Sequence, residues 1–387
     1  MKASNCINSN YSNILFTLYI TQTFYILISM KICLMGGWNT DSGASLHGEL
    51  IGREWVRHGH KLIVLTFKEY AFHGTQITGG DEEYVERCYT VRGYNPLEFD
   101  PIPFLTSDYE IFVVEDLGML PKEPLRQIFH RIRKKASIVN IIHDGRLSED
   151  PAFYQFEWDA IVCFDERYKN FLKKVYDVDK IHTIRYPCHS LQKDSKEDAR
   201  KFLNLPLDKK IVFGFGPASE KILDEIDALY NIAEEYPVML LILNKKKEIL
   251  KKFNSLVDTG KLEIQTREEA PDINQLYKYL HAADLLLFNK EAPQWVVISS
   301  TVYQTLGSTC PIVARDAGFV NDFNEEVLKY TNHDELKDCI RSVFNQDKKY
   351  KETTKATLEF MKNNSAEKVA ERYIELFQRL RNRRINA

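Results

Sequence analysis

Three groups of residues in this chain have the types and spacing to hold an anion. The first lies in Met30 to Phe67, which runs as apolar segment, glycine-rich turn, amphipathic segment, Gly-His turn and second apolar segment. A strand–turn–helix unit of this kind aims backbone N–H groups and the positive end of a helix at a cleft, which suits a diphosphate. Within it, Gly43 would let the backbone approach such a group closely, and Ser45 is the expected cap of the first helix. The alternative for both is an ordinary strand–helix turn. A second unit begins near Lys210, where Lys221 is expected in the first turn of a helix. A cation there opposes the helix dipole unless an anion lies alongside. The third group is Ser299, Ser300 and Thr301 at the start of a helix that carries Gln304. Its free N–H groups and hydroxyls could hold a diphosphate, and the same residues also read as simple N-caps.

The elements that must position these residues follow from periodicity. Strand patterns at Lys61–Phe67, Tyr109–Glu115, Ser137–His143, Ala160–Phe164 and Lys180–Tyr186 alternate with helical patterns such as Pro124–Lys135 and Glu166–Tyr176, the latter capped by Asp165. The alternation restarts at Ile211–Phe215. It continues through helix Glu220–Glu235, strands Val238–Leu243 and Leu262–Thr266, helix Ile273–Ala282, strand Asp284–Phe288, helix Ser300–Leu306 and strand Pro311–Ala314. Short apolar strands separated by helices imply parallel sheets covered on both faces. Phe72 to Phe104, rich in glycine and proline, reads as a loop beside the cleft. Ser365–Arg381 reads as a terminal helix with Val369, Tyr373, Phe377 and Leu380 on one face. His143 falls at the end of a strand, where open α/β sheets bind ligands; a structural histidine is the alternative.

Bulk properties narrow the classes. The chain has 387 residues, enough for two domains of about 150 residues each plus extensions. Hydrophobic residues make up 44% and charged residues 28%, and the net charge of -3 gives no reason to expect nucleic-acid binding. The basic tail at Arg379, Arg381, Arg383 and Arg384 suits the C-terminal end of a helix dipole, with peripheral contact to a membrane surface as the other reading. Seven cysteines without metal-ligand spacing fit a reduced, cytoplasmic protein. Ile14 to Ser29 is apolar but short for a membrane span and is interrupted by Thr17, Thr21, Gln22 and Thr23. An upstream start that adds no fold, a membrane anchor and a packed extension are the three readings of residues 1–29, and the fold is expected to begin at Met30.

The order of motifs along the chain resembles GT-B glycosyltransferases of family 4. Ala283 to Phe288 followed by Tyr303 to Gly318 (YQTLGSTCPIVARDAG) is similar to that family's donor-binding run. Ser42 to Ser45 looks like its first loop, Arg57-His58-Gly59-His60 like its "rGHeV" turn, Ile142-His143-Asp144 like its "vHD", and Tyr186 to His189 stands where "iPNG" marks the hinge. The match covers about Met30 to Arg381. It implies two Rossmann-like domains facing a central cleft: an acceptor domain over 30–188, a donor domain over 189–364, and 365–387 returning to the first domain. It also implies transfer of a sugar from a UDP- or GDP-type donor, with retention, no metal and no cofactor beyond that co-substrate. The acceptor, a glycan, lipid or protein, is not identified.

By the same resemblance, His143 contacts the donor sugar and Glu291, in a loop beside the cleft, accepts sugar hydroxyls as the family acid. Gln304 stands where the family has a ribose-binding glutamate, and Lys221 is offset from the family lysine. The family arginine beside that lysine is missing. These departures motivate two alternatives, a binding protein of the same shape without turnover and a sugar-nucleotide epimerase. Two other patterns are set aside. Asp177-Val178-Asp179 imitates a metal motif but falls in a turn, and Gly214 to Ser219 imitates a dinucleotide fingerprint without its third glycine or its acid.

Overall fold

The computed structural model describes residues 29–68, 77–91, 96–256, 262–291 and 293–386. The apolar segment at Ile14 to Ile28 therefore lies outside the described residues, as do 72–76 and 92–95 of the expected loop. Among the described residues, thirteen strands build two parallel sheets. The first comprises β1 (Lys31–Met35), β2 (Lys61–Phe67), β3 (Val85–Tyr89), β4 (Ile111–Glu115), β5 (Ser137–Ile141), β6 (Ala160–Cys163) and β7 (Ile181–Thr183), in the order β3-β2-β1-β4-β5-β6-β7. The second comprises β8 (Lys210–Phe215), β9 (Val238–Leu243), β10 (Leu262–Arg267), β11 (Leu285–Phe288), β12 (Ile312–Arg315) and β13 (Leu328–Tyr330), in the order β10-β9-β8-β11-β12-β13. Every residue of β4, β5 and β9 is buried, as expected for strands covered by helices on both faces.

Each sheet reverses its winding once, between β1 and β4 in the first lobe and between β8 and β11 in the second. At such a reversal the flanking helices diverge to opposite faces and leave a crevice at the carboxyl ends of the strands. The fold thus prepares one crevice per lobe.

The chain crosses between lobes twice, and the two crossings are hydrogen-bonded. Cys188 N–H donates to Asn364 O at 2.7 Å, and Ala366 N–H donates to Cys188 O at 3.1 Å. The helix Ala366–Ile385 then packs on the helix Gly43–Arg57 of the first lobe, burying Val369, Tyr373, Phe377 and Leu380. Large side chains buried in this way contribute about 1.5–3 kcal/mol each. Trp55 Nε1 donates to Ala370 O, and Arg384 donates to the carbonyls of Arg133, Lys134 and Ala136 at the end of helix Lys122–Lys135.

Several boundaries differ from expectation. The stretch read as loop contains strand β3. The expected helix Glu220–Glu235 divides into a 3₁₀ helix, Pro217–Glu225, and an α-helix, Ile226–Ala233, so Lys221 is not in an α-helical first turn. The helix capped by Asp165 ends at Leu172. Two helices, His333–Asn345 and Lys348–Asn364, occupy a region for which the sequence suggested no element.

Candidate functional site

The crevice of the first lobe is built around Glu115, the last residue of β4. Its side chain is wholly buried, and its Oε1 lies 2.5 Å from His47 Nδ1 and 2.8 Å from His143 Nε2. A carboxylate only accepts, so each nitrogen carries the donating hydrogen. His47 comes from the buried face of helix Gly43–Arg57, and His143 from the loop after β5. Two glycines make room: a Cβ at Gly36 would stand 2.8 Å from Glu115 Cβ, and one at Gly48 would stand 3.1 Å from Oε2. The three side chains have ligand atoms within 4.8 Å of one another, but the 2.5 Å contact to His47 is closer than the separation of about 3 Å between two ligands on one tetrahedral ion.

Burial opposes the charge on Glu115, yet the facing imidazoles win and hold its pKa down to about 2. Burial lowers the pKa of His47, although Glu115 pulls the other way. Burial also works against a charge on His143, but its hydrogen bond to Glu115 and the nearby carboxylates outweigh that, so its pKa is raised. Next in the chain, Asp116 adopts the left-handed conformation at φ 56°, which an aspartate tolerates better than most residues. Burial, followed by the neighbouring Asp144 and Glu115 charges, lifts its pKa to about 6 against the pull of His143.

The carboxyl ends of the two sheets face each other, and loops from both meet. Lys245, after β9, pairs with Asp41, after β1, at 3.8 Å. Val296 N–H donates to Gly145 O at 3.1 Å. Arg167 of the first lobe donates to Gly318 O and Val297 O of the second. A Cβ on Gly43 would stand 3.1 Å from Ser300 Oγ, and Tyr186 Oη donates to Gly43 O at 2.7 Å. The starts of helices Gly43–Arg57 and Ser300–Leu306 therefore meet across the crevice. Arg146, two residues past Asp144, lies over the half-exposed Trp295 ring at 5.0 Å.

Ser45 requires correction. The helix cap is Ser42, whose Oγ accepts from Ser45 N–H, while the Ser45 hydroxyl is fully buried. It donates to Glu49 at 2.6 Å and accepts from Thr40 N–H, so it offers no surface to a ligand. On the other side of the crevice, Ser299 caps the short helix, and Ser300, Thr301 and Gln304 are partly exposed on it. Tyr277 Oη fixes the carbonyl of Gln304 at 2.7 Å.

In the second lobe Lys221 and Glu291 approach to 3.6 Å, with Asp224 3.7 Å from the same ammonium. Asn289, at the end of β11, ties this group down by donating to Lys221 O and to Glu225. Glu225 is fully buried and also accepts from Arg315 and Tyr330. The sequence reading missed Glu115, His47 and Glu225. The available signals were an acid ending the apolar run YEIFVVE and a histidine on the apolar face of a helix. Asp177 and Asp179 lie elsewhere, lining a cavity of about 740 Å³ with Asp159, Arg383 and Arg384 at the amino ends of β5 to β7.

No protein-family model matches the chain. Solved structures do. A glycosyltransferase from Rickettsia africae ESF-5 superposes with a TM-score of 0.66 at 14% identity, over 91% of this chain and 99% of that one. Sucrose-phosphate synthase from Thermosynechococcus elongatus gives 0.59 at 13% identity, with the same coverage. The pneumococcal O-GlcNAc transferase GtfA, in complex with UDP and GlcNAc, gives 0.59 at 10% identity over 91% and 99%. At such identities the likeness concerns the fold: two parallel α/β domains arranged as in GT-B glycosyltransferases.

Proposed function

We propose that this chain is a glycosyltransferase that moves a sugar from a UDP- or GDP-type donor to a hydroxyl-bearing acceptor. The observation that carries the reading is the meeting of two helix starts, at Gly43 and Ser300, across a crevice into which both sheets direct their carboxyl ends. Backbone N–H groups at helix starts are suited to a diphosphate, the anionic part shared by all such donors. The UDP held by GtfA supports a nucleotide of this class.

In this reading Gly43, Ser300 and Thr301 cradle the diphosphate, and Lys221 adds a positive charge. Gln304 binds a ribose hydroxyl. As a neutral amide it forgoes about 1 kcal/mol per bond relative to a carboxylate. His143 and Glu291 contact the sugar. The bond from the anomeric carbon to the phosphate oxygen breaks, and the acceptor oxygen bonds to that carbon on the same face. The departing phosphate takes the acceptor proton. No metal enters this scheme, and the protein acts by orientation and by charge complementarity to the developing diphosphate. The acceptor domain is 30–188 and the donor domain 189–364. The reaction is assigned to the cytoplasm, with the acceptor class open among glycan, lipid and protein.

The test is incubation with a panel of UDP- and GDP-sugars, with and without candidate acceptors, while free nucleotide diphosphate is measured. Acceptor-dependent release is expected. Binding without release from any donor would overturn the reading in favour of a non-catalytic protein, and an isomerised sugar alone would favour an epimerase.

A further inference from the structure

We infer that Glu115 is a positioning residue for His143: its single oxygen Oε1 holds that imidazole by Nε2 and His47 by Nδ1, so that Nδ1 of His143 is the nitrogen left to meet a bound donor. The role of His143 toward a donor rests on the function proposed above; the role of Glu115 toward His143 stands on geometry alone.

A carboxylate buried in a parallel sheet costs several kcal/mol unless its partners compensate. Glu115 is wholly buried, and Oε2 has no hydrogen-bond partner among the described residues. The stabilisation is thus concentrated on Oε1. The backbone is shaped for this one placement, because any side chain at Gly36 or Gly48 would meet Glu115 at 2.8 Å or 3.1 Å. The rings are equally confined. His143 stands edge-on to Phe164 at 4.8 Å and to His47 at 5.4 Å, which fixes its ring plane, and a ring flip within that plane would carry Nε2 away from Glu115 and break the hydrogen bond.

The second imidazole extends the constraint. With Nδ1–H committed to Glu115, Nε2 of neutral His47 is an acceptor, 3.4 Å from Tyr373 Oη of the terminal helix. The groups facing His143 are Glu115 and Asp116 from the end of β4, Asp144 in its own loop and His47 from helix Gly43–Arg57. A single carboxylate supports one full imidazolium. Burial disfavours the charged form of His47, whereas the hydrogen bond to Glu115 and the nearby carboxylates favour the charged form of the partly exposed His143. Nδ1 of His143 then donates a hydrogen bond, which fits a sugar or phosphate oxygen.

The experiment is NMR of imidazole nitrogens across a pH series in the whole chain. In the wild type, His143 is expected to keep Nε2 protonated throughout and to titrate above the free-imidazole value of about 6.5. In Glu115→Gln its midpoint is expected to move downward, and kcat to fall roughly 10- to 100-fold with little change in KM. A wild-type His143 protonated on Nδ1 alone when neutral, or titrating at or below the free value, would overturn the inference even if the variant did not fold. So would a folded Glu115→Gln protein with an unmoved midpoint. If the wild type turned over no donor, the proposed reaction would fail, while the titration would still decide the part played by Glu115.

Discussion

Gly43 and Ser300, 257 positions apart in the chain, approach so closely that a single methyl group on Gly43 would reach within 3.1 Å of the Ser300 hydroxyl. No positive φ demands glycine at Gly43, which lies at the first position of a helix. What glycine preserves here is space between two helix starts. Gly43→Ala is expected to leave the urea midpoint unchanged or slightly higher, since alanine is the better helix former by up to about 1 kcal/mol. It should nevertheless weaken binding of UDP- or GDP-sugars several-fold in calorimetric titration, and Gly43→Val more so. Undiminished affinity in both variants would remove the diphosphate from this place.

Gly145 is under a harsher restriction. A Cβ there would lie 1.6 Å from Val296 O, an impossible distance without movement of the loop backbone. Gly145→Ala should break the Val296 N–H to Gly145 O bond and part the two loops, at a cost of about 1–3 kcal/mol. Small-angle scattering should record a larger radius of gyration than in the wild type. An unchanged radius together with unchanged stability would contradict this.

Lys221 and Glu291 test function separately from stability. Their side chains are 44% and 83% exposed, so their 3.6 Å contact is heavily screened by water. Lys221→Met and Glu291→Gln are each expected to alter unfolding free energy by less than about 1 kcal/mol. Turnover should fall at least tenfold in both, because removing a charge-assisted contact at a reacting diphosphate or sugar costs about 1.5–3 kcal/mol. Full turnover in either variant would exclude that residue from the site.

The Glu115 cluster has a signature in acid stability. A carboxylate held from an ordinary 4.5 down to about 2 binds fewer protons when folded. Its contribution is complete above the ordinary value and is lost as pH falls from about 4.5 towards 2. His143 acts oppositely: its raised pKa gives stability present below the unfolded value and lost as pH rises through the folded one. Urea unfolding from pH 2 to pH 8 should therefore show a steeper acid limb in the wild type than in Glu115→Gln. Superimposable acid limbs would mean that the carboxylate carries no such linkage.

Periodicity and composition were sufficient for the alternation of apolar strands with helices, because a strand buried on both faces must be apolar throughout. The strand–helix passage leading to Gly43, the strand that runs up to the loop of His143, the Asp165 cap and the apolar stripe Val369, Tyr373, Phe377 and Leu380 were all legible locally. Where a local choice had two candidates, the sequence reading failed. Ser42 and Ser45 are both good caps, and only the packing of Glu49 beneath the helix start shows which hydroxyl is engaged elsewhere.

Local order along the chain was enough for the set of elements and the turn chemistry between them, since these depend on residues a few positions apart. Folding had to bring together the distant groups that share a space: Glu115 with His47 and His143, Gly43 with Ser300, and Lys221 with Glu291. The physical reason is that a buried charge is stabilised by partners the fold brings to it, and no spacing along the chain encodes partners that arrive from three separate elements.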